Sequence, residues 1–218
     1  MRGRRRLQSN PVRRKREAIT KRKVDPVADR IRRLCVYCGS SPGIDPRYQE
    51  AATTLGGELA AGDIELVYGG GRNGLMGRVA DAVLAGGGRV TGVIPHHLRN
   101  RELAHRGLTE LVLVDSMHER KRVMAERADA FAALPGGVGT LDETVEILSW
   151  RQLGLHDKPV FIVDIAGYWS PLAELFEHIV GKKFAAPLVP RLVEFVPDVA
   201  ALCDALRCYH SNIHETRG

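Results

Sequence analysis

No apolar run in this 218-residue chain is long enough to cross a bilayer, which excludes a helical transmembrane protein. Cysteine is scarce, and four residues in a chain of this size make no disulfide scaffold. Cys35 and Cys38 stand three apart on an expected strand and so point to opposite faces. Cys203 and Cys208 fall on a terminal helix with no histidine in register. Neither pair has the arrangement of a zinc site, and no metal is expected. Aromatic residues make up 6%, too few for a platform on which single-stranded nucleic acid could stack. The rest is ordinary for a soluble domain, 44% hydrophobic and 27% charged, with one excess: 23 glycines, gathered mainly in two loops.

The net charge of +6 is unevenly spread. Residues 1–33 hold 14 Lys/Arg and 3 Asp/Glu, leaving 18 basic and 23 acidic residues beyond them. The body is therefore mildly acidic and unlike a nucleic-acid-binding domain. The basic segment has few apolar residues and no periodicity, so little burial offsets the entropy of ordering it, and it reads as a disordered tail. As a tether it could touch nucleic acid or an anionic surface weakly. As a transit peptide it is poor in hydroxyls, with Ser9 and Thr20 alone, and it lacks the apolar centre of a secretory signal. The plainer reading, an extension of little consequence on a cytoplasmic protein, is preferred. The expected organisation is a tail at 1–33, one domain at 34–208 and a short C-terminal tail at 209–218.

From Leu34 onward short apolar runs alternate with amphipathic stretches. Strands are expected at 34–38, 64–68, 89–94, 110–114, 129–134, 159–163 and 192–196. Helices are expected at about 46–62, 74–86, 116–128, 140–153, 171–182 and 198–208. This alternation predicts an α/β fold: a Rossmann-like, doubly wound parallel sheet of about seven strands in a single domain. Ligands of such sheets bind at the carboxyl ends of the strands, which directs attention to the loops there.

Two of those loops are rich in glycine. Gly69-Gly70-Gly71-Arg72-Asn73-Gly74 follows a strand and opens a helix. No acidic residue stands at the end of the next strand to hold a ribose hydroxyl, so NAD and FAD are not expected. Gly70 and Gly71 can still bring backbone close to a ligand, or simply make a tight turn. The second loop is Pro135-Gly136-Gly137-Val138-Gly139-Thr140. It lacks the Gly-Lys-Ser/Thr of a nucleotide triphosphatase, but its peptide N–H groups can converge on an anion at a helix N-terminus, and a monophosphate suits its size.

The charges sharpen this picture. Ser116 and Glu119 form a capping box that starts the helix at 117. Arg120, Lys121 and Arg122 follow, cations at the positive end of a helix dipole. Arg122 has Glu119 and Glu126 in reach, but Arg120 leans inward and calls for an anion: an internal carboxylate or a substrate phosphate. Glu143 stands in the first turn after the second glycine loop, where the helix dipole favours its ionised form. It is either a cap or a catalytic carboxylate. A phosphate at the same pole would need a cation between the two anions, and Arg120 or Lys121 could supply it.

Taken together, YGGGRNGLMG at 68–77, DSMHERK at 115–121 and LPGGVGTLDE at 134–143 resemble the LONELY GUY family. These are cytokinin-activating phosphoribohydrolases, whose relatives often carry an older "lysine decarboxylase-like" label. The resemblance runs over about 34–208, from CVYCGSS at 35–41 through SWRQLGLHDKPV at 149–160. It implies cleavage of the N-glycosidic bond of AMP or an N6-prenylated AMP, giving free base and ribose 5-phosphate. By the same resemblance Arg120 and Glu143 are the catalytic pair. Glu102, Lys121, Gly136, Gly137, Val138, Gly139, Thr140, Leu141, Asp142 and Ser149 bind substrate. Ser149 is commonly threonine in the family, and Asp142 replaces a frequent glutamate. A homodimer is implied, and Trp150 and Leu153 lie where its surface could form. No metal or organic cofactor is implied. A decarboxylase using pyridoxal phosphate would need a Schiff-base lysine, and of the lysines after the tail only Lys121 falls near the expected site. The rival reading is a non-catalytic carrier of a nucleotide-like cofactor, of the molybdopterin-binding type, which would keep the glycine loops but need no Arg120–Glu143 pair.

Overall fold

The computed structural model of the chain describes residues 31–99, 104–186 and 191–215. The expectations for residues 1–30 and for Glu102 lie outside these. Seven parallel strands are ordered β4-β3-β2-β1-β5-β6-β7. They are β1 (Arg33–Tyr37), β2 (Glu65–Tyr68), β3 (Val90–Pro95), β4 (Glu110–Val114), β5 (Ala130–Ala133), β6 (Val160–Val163) and β7 (Glu194–Val196). The helices are α1 (Pro46–Ala61), α2 (Gly74–Ala85), the single turn α3 (His96–Leu98), α4 (Met117–Arg127), α5 (Val138–Gln152), α6 (Ser170–Gly181) and α7 (Val199–Glu215). Each expected strand and long helix is present. The differences are α3, which no periodicity marks, and α7, which continues past its expected end at 208 to Glu215.

The chain also joins the fold before Leu34. Ile31 is already buried in the core, and the N–H groups of Arg32 and Arg33 donate to the Asp129 carboxylate at 3.0 and 2.9 Å, which ties the start of β1 to the start of β5.

Alternate strand residues build two separate cores, as a pleat buried on both faces requires. Leu34, Val36, Leu66, Tyr68 and Val90 pack under α1, α2 and α7 with Leu55, Val79 and Leu202. Cys35, Tyr37, Val67 and Phe131 pack on the other face with Met124 of α4, Ile147 of α5 and Phe176 of α6. Cys35 and Cys38 fall in opposite cores, as their spacing predicts.

Strand β1 has β2 on one side and β5 on the other, so the winding reverses at it. The loops leaving β1 and β5 diverge there and open a crevice at the carboxyl edge.

Candidate active site

The crevice holds a cavity of about 420 Å³. One wall is the start of α5: Gly137, Val138, Gly139, Thr140 and, a turn further on, Glu143. Gly137 is the N-cap of α5 and makes no side-chain cap; Leu141 N–H is bonded to the Gly137 carbonyl at 3.0 Å, which begins the helix. The leading peptide N–H groups of α5 therefore face a pocket with no side chain capping them, which is the arrangement that receives an anion.

Arg120 and Glu143 meet on the floor. The Nη1 of Arg120 donates to Glu143 Oε1 at 2.9 Å, and its Nε donates to the Val93 carbonyl at 3.1 Å. They are 9% and 8% exposed, so this is a charge pair largely withdrawn from water yet lining the cavity. Burial pushes the Glu143 carboxyl above its usual range; Arg120 opposes that shift. The helix-dipole expectation of a readily ionised Glu143 is thus reversed by desolvation.

The capping box at Ser116 forms, Glu119 N–H donating to Ser116 Oγ at 3.1 Å. The return bond from Glu119 goes to the N–H of Asp115 at 2.9 Å rather than to that of Ser116. It fixes the start of α4, and thereby Arg120.

The first glycine loop has a function the sequence did not disclose. A Cβ on Gly69 would lie 1.7 Å from Nη2 of Arg120, so Gly69 is what leaves space for the guanidinium. Gly69→Ala is expected to displace Arg120, and a steady-state assay should show a loss of about tenfold or more in kcat/KM, some 1.4 kcal/mol. An unchanged kcat/KM would refute this role for Gly69.

Gly71 lines the cavity, whereas Gly70, at φ +73° where a Cβ would press on Ile94 and Val93, accepts at its carbonyl from the N–H of His105 at 2.9 Å. Lys121 is turned away from the cavity: its ammonium pairs with Asp142 at 3.0 Å and Glu146 at 3.1 Å. Burial works against its charge, but those two carboxylates outweigh it and hold the pKa above the ordinary lysine value. Asp142, Leu141 and Ser149 are exposed on α5, outside the cavity lining, and Gly136 lies just behind it. Sequence reasoning missed the opposite wall. Cys38, Gly39 and Ser40 come from the end of β1, Asn73 and Met76 from the start of α2, and Ile94 and Leu98 from the end of β3. The loops at strand carboxyl ends to which the sequence directs attention include Gly39, Ser40, Asn73 and Leu98, but nothing in their residue types singled them out.

Comparison with known proteins agrees with this geometry. The family described as "Possible lysine decarboxylase" matches residues 76–206. The chain is 44% identical to cytokinin riboside 5'-monophosphate phosphoribohydrolase LOG7 of Arabidopsis thaliana over 192 residues, 88% of either chain. It is 46% identical to the LOG enzyme of Oryza sativa subsp. japonica, covering 83% of this chain and 74% of that one. The protein belongs to the LONELY GUY family.

Among solved structures, the molybdenum cofactor carrier protein of Chlamydomonas reinhardtii superposes with a TM-score of 0.64 over 84% of this chain and 99% of that one, at 20% identity. At that identity the likeness shows a shared fold and nothing further. The decarboxylase description of the wider family does not suit this LONELY GUY member. No lysine lines the cavity among the described residues, and Lys158 donates to the Ala125 carbonyl at 2.8 Å, so pyridoxal phosphate would find no amine there.

Proposed function

We propose that the protein hydrolyses the N-glycosidic bond of a purine nucleoside 5'-monophosphate, AMP or its N6-prenylated analogue, to free base and ribose 5-phosphate. The observation that carries this is the buried Arg120–Glu143 pair set beside an uncapped helix N-terminus in one cavity. The α5 N–H groups hold the phosphate. Arg120 stands as the cation that lets phosphate and Glu143 share one pole. As the C1'–N bond lengthens, positive charge grows on the ribose, and the Glu143 carboxylate stabilises it. Glu143 then takes a proton from the water that adds to C1', while the base departs with the bonding pair and takes a proton from solvent, to which Glu143 returns its own. Met76, Ile94 and Leu98 give the opposite wall an apolar surface for the base. The four cysteines and the lack, among the described residues, of a helix able to span a membrane suit the cytoplasmic setting proposed for it.

A cofactor carrier of the same fold would bind the nucleotide and leave it whole; it has no use for a buried catalytic pair. Incubating the pure protein with AMP and measuring adenine by chromatography separates the two. Binding without adenine release would overturn the hydrolase reading. Comparing kcat/KM for AMP and prenylated AMP then assigns the substrate.

The catalytic unit proposed here starts at Ile31, with no chemical role for the basic tail. It acts as a homodimer. Val145 on α5 and Leu153 just past its end are 44% and 71% exposed and outside the cavity lining, apolar surface that a second copy would cover. Light scattering at micromolar concentration should give twice the 24.0 kDa chain mass, and a monomer alone would refute the dimer.

A further inference from the structure

We infer that Tyr168, which lies outside every motif that carries the family resemblance, is a positioning residue. By holding the Gly136 carbonyl, its hydroxyl aims the Gly137 peptide N–H at the substrate phosphate. The inference rests on the proposed nucleotide-hydrolase reading and names what holds its phosphate loop in shape.

Tyr168 follows β6, just past a tight turn at Ile165–Gly167. Its hydroxyl donates to the Gly136 carbonyl at 2.5 Å. The ring is braced edge-to-face by Tyr48 of α1, with centroids 5.5 Å apart, and by Trp169 at 4.9 Å. Trp169 is itself buried, and its backbone N–H is bonded to the Asp164 carboxylate, which also takes the Ser170 hydroxyl at 3.0 Å. The phenol is therefore mounted on a rigid base.

What it holds cannot hold itself. Gly136 and Gly137 are adjacent, and two glycines leave the peptide between them almost free to rotate. Side chains cannot be added behind it, because a Cβ on Gly136 would meet Thr140 Oγ1 at 2.1 Å and the Gly39 nitrogen at 2.9 Å. The described residues contain no cis peptide bond, so the Gly136 carbonyl and the Gly137 N–H point in opposite directions. Tyr168 and Gly137 both border a small recess of about 210 Å³, and Gly137 also borders the catalytic cavity, which Tyr168 does not reach. With the carbonyl pinned on the Tyr168 side, the N–H is directed to the cavity side. A flip of this peptide would present a carbonyl oxygen to the phosphate in place of a donor.

Tyr168→Phe removes the hydroxyl and keeps the ring and its aromatic contacts. Steady-state kinetics with AMP should be joined by calorimetry with ribose 5-phosphate and by inhibition with adenosine, which has no phosphate. KM for AMP and Kd for ribose 5-phosphate should both rise about fivefold, in the range of one neutral hydrogen bond. The adenosine inhibition constant and kcat should stay within about twofold. A purely structural tyrosine would weaken adenosine as much as ribose 5-phosphate, and that result overturns the inference. So does a variant with unchanged affinity for ribose 5-phosphate in an enzyme whose parent hydrolyses AMP. A parent that releases no adenine overturns the hydrolase reading and this inference together.

Discussion

Replacing Glu143 with Gln should lower kcat by about 10²-fold or more, roughly 2.7 kcal/mol of barrier, while AMP binding survives. The substitution keeps the side chain's shape and an acceptor for Arg120 but removes the negative charge that faces the forming oxocarbenium. Binding should tighten somewhat, because one of two anions near the α5 N-terminus is gone. The burial that raises the Glu143 pKa adds a second signature. Glu143 must be ionised to act, and its ionised form is lost as pH falls through the raised pKa. The acid limb of kcat should therefore lie above the ordinary carboxylate value of about 4.3, and it should vanish in Glu143→Gln. Adenine release followed across pH, beside calorimetry with AMP, tests both parts. A variant that hydrolyses AMP near the parent rate would reduce Glu143 to a structural acid.

Arg120→Ala should do more damage, and of another kind. It strips the partner from a buried carboxylate, an event that costs about 3–5 kcal/mol where both groups are withdrawn from water. Glu143 would respond by taking up a proton, and the phosphate would lose the cation beside it. Both affinity and kcat should fall, with kcat/KM down by about 10³-fold, or 4 kcal/mol. Because the two residues act as a unit, the double variant should be less impaired than the two single losses added together. Additive losses in such a cycle would show that the pair is not coupled during catalysis. Arg120→Lys should rescue little, since one ammonium cannot reproduce the fork that reaches Glu143 and the Val93 carbonyl at once.

The central strands were legible because they are almost wholly buried and so nearly all apolar, the edge strands β4 and β7 by short apolar runs alone, and the helices because their buried stripes recur at helical spacing. The His96–Leu98 turn escaped because one turn has no period to read. Half of the site was legible too: Arg120 as a cation in an unfavourable place, and the 135–140 loop as an anion cradle. The other half depends on which strands are neighbours. Cys38, Met76 and Leu98 become one wall only through the order β3-β2-β1-β5, and alternation of strands and helices carries no record of that order. The choice between Arg120 and Lys121 was likewise left open by charge. Successive helical residues point about 100° apart, so one enters the cavity and the other turns to Asp142 and Glu146.

The pairing of β1 with β5 has a consequence for how the protein is made. Leu34 finds its partner Ala130 only after β2, β3 and β4 have been synthesised. Until then β1 offers the solvent an open, apolar edge, the kind of surface that sticks to other nascent chains. The cavity closes across this same seam, with Gly39 on one side and Glu143 on the other, so no early fragment can bind nucleotide. Ligand binding thus reports that β1 has closed onto β5, and the nucleotide can steady the finished fold by mass action but cannot template its beginning.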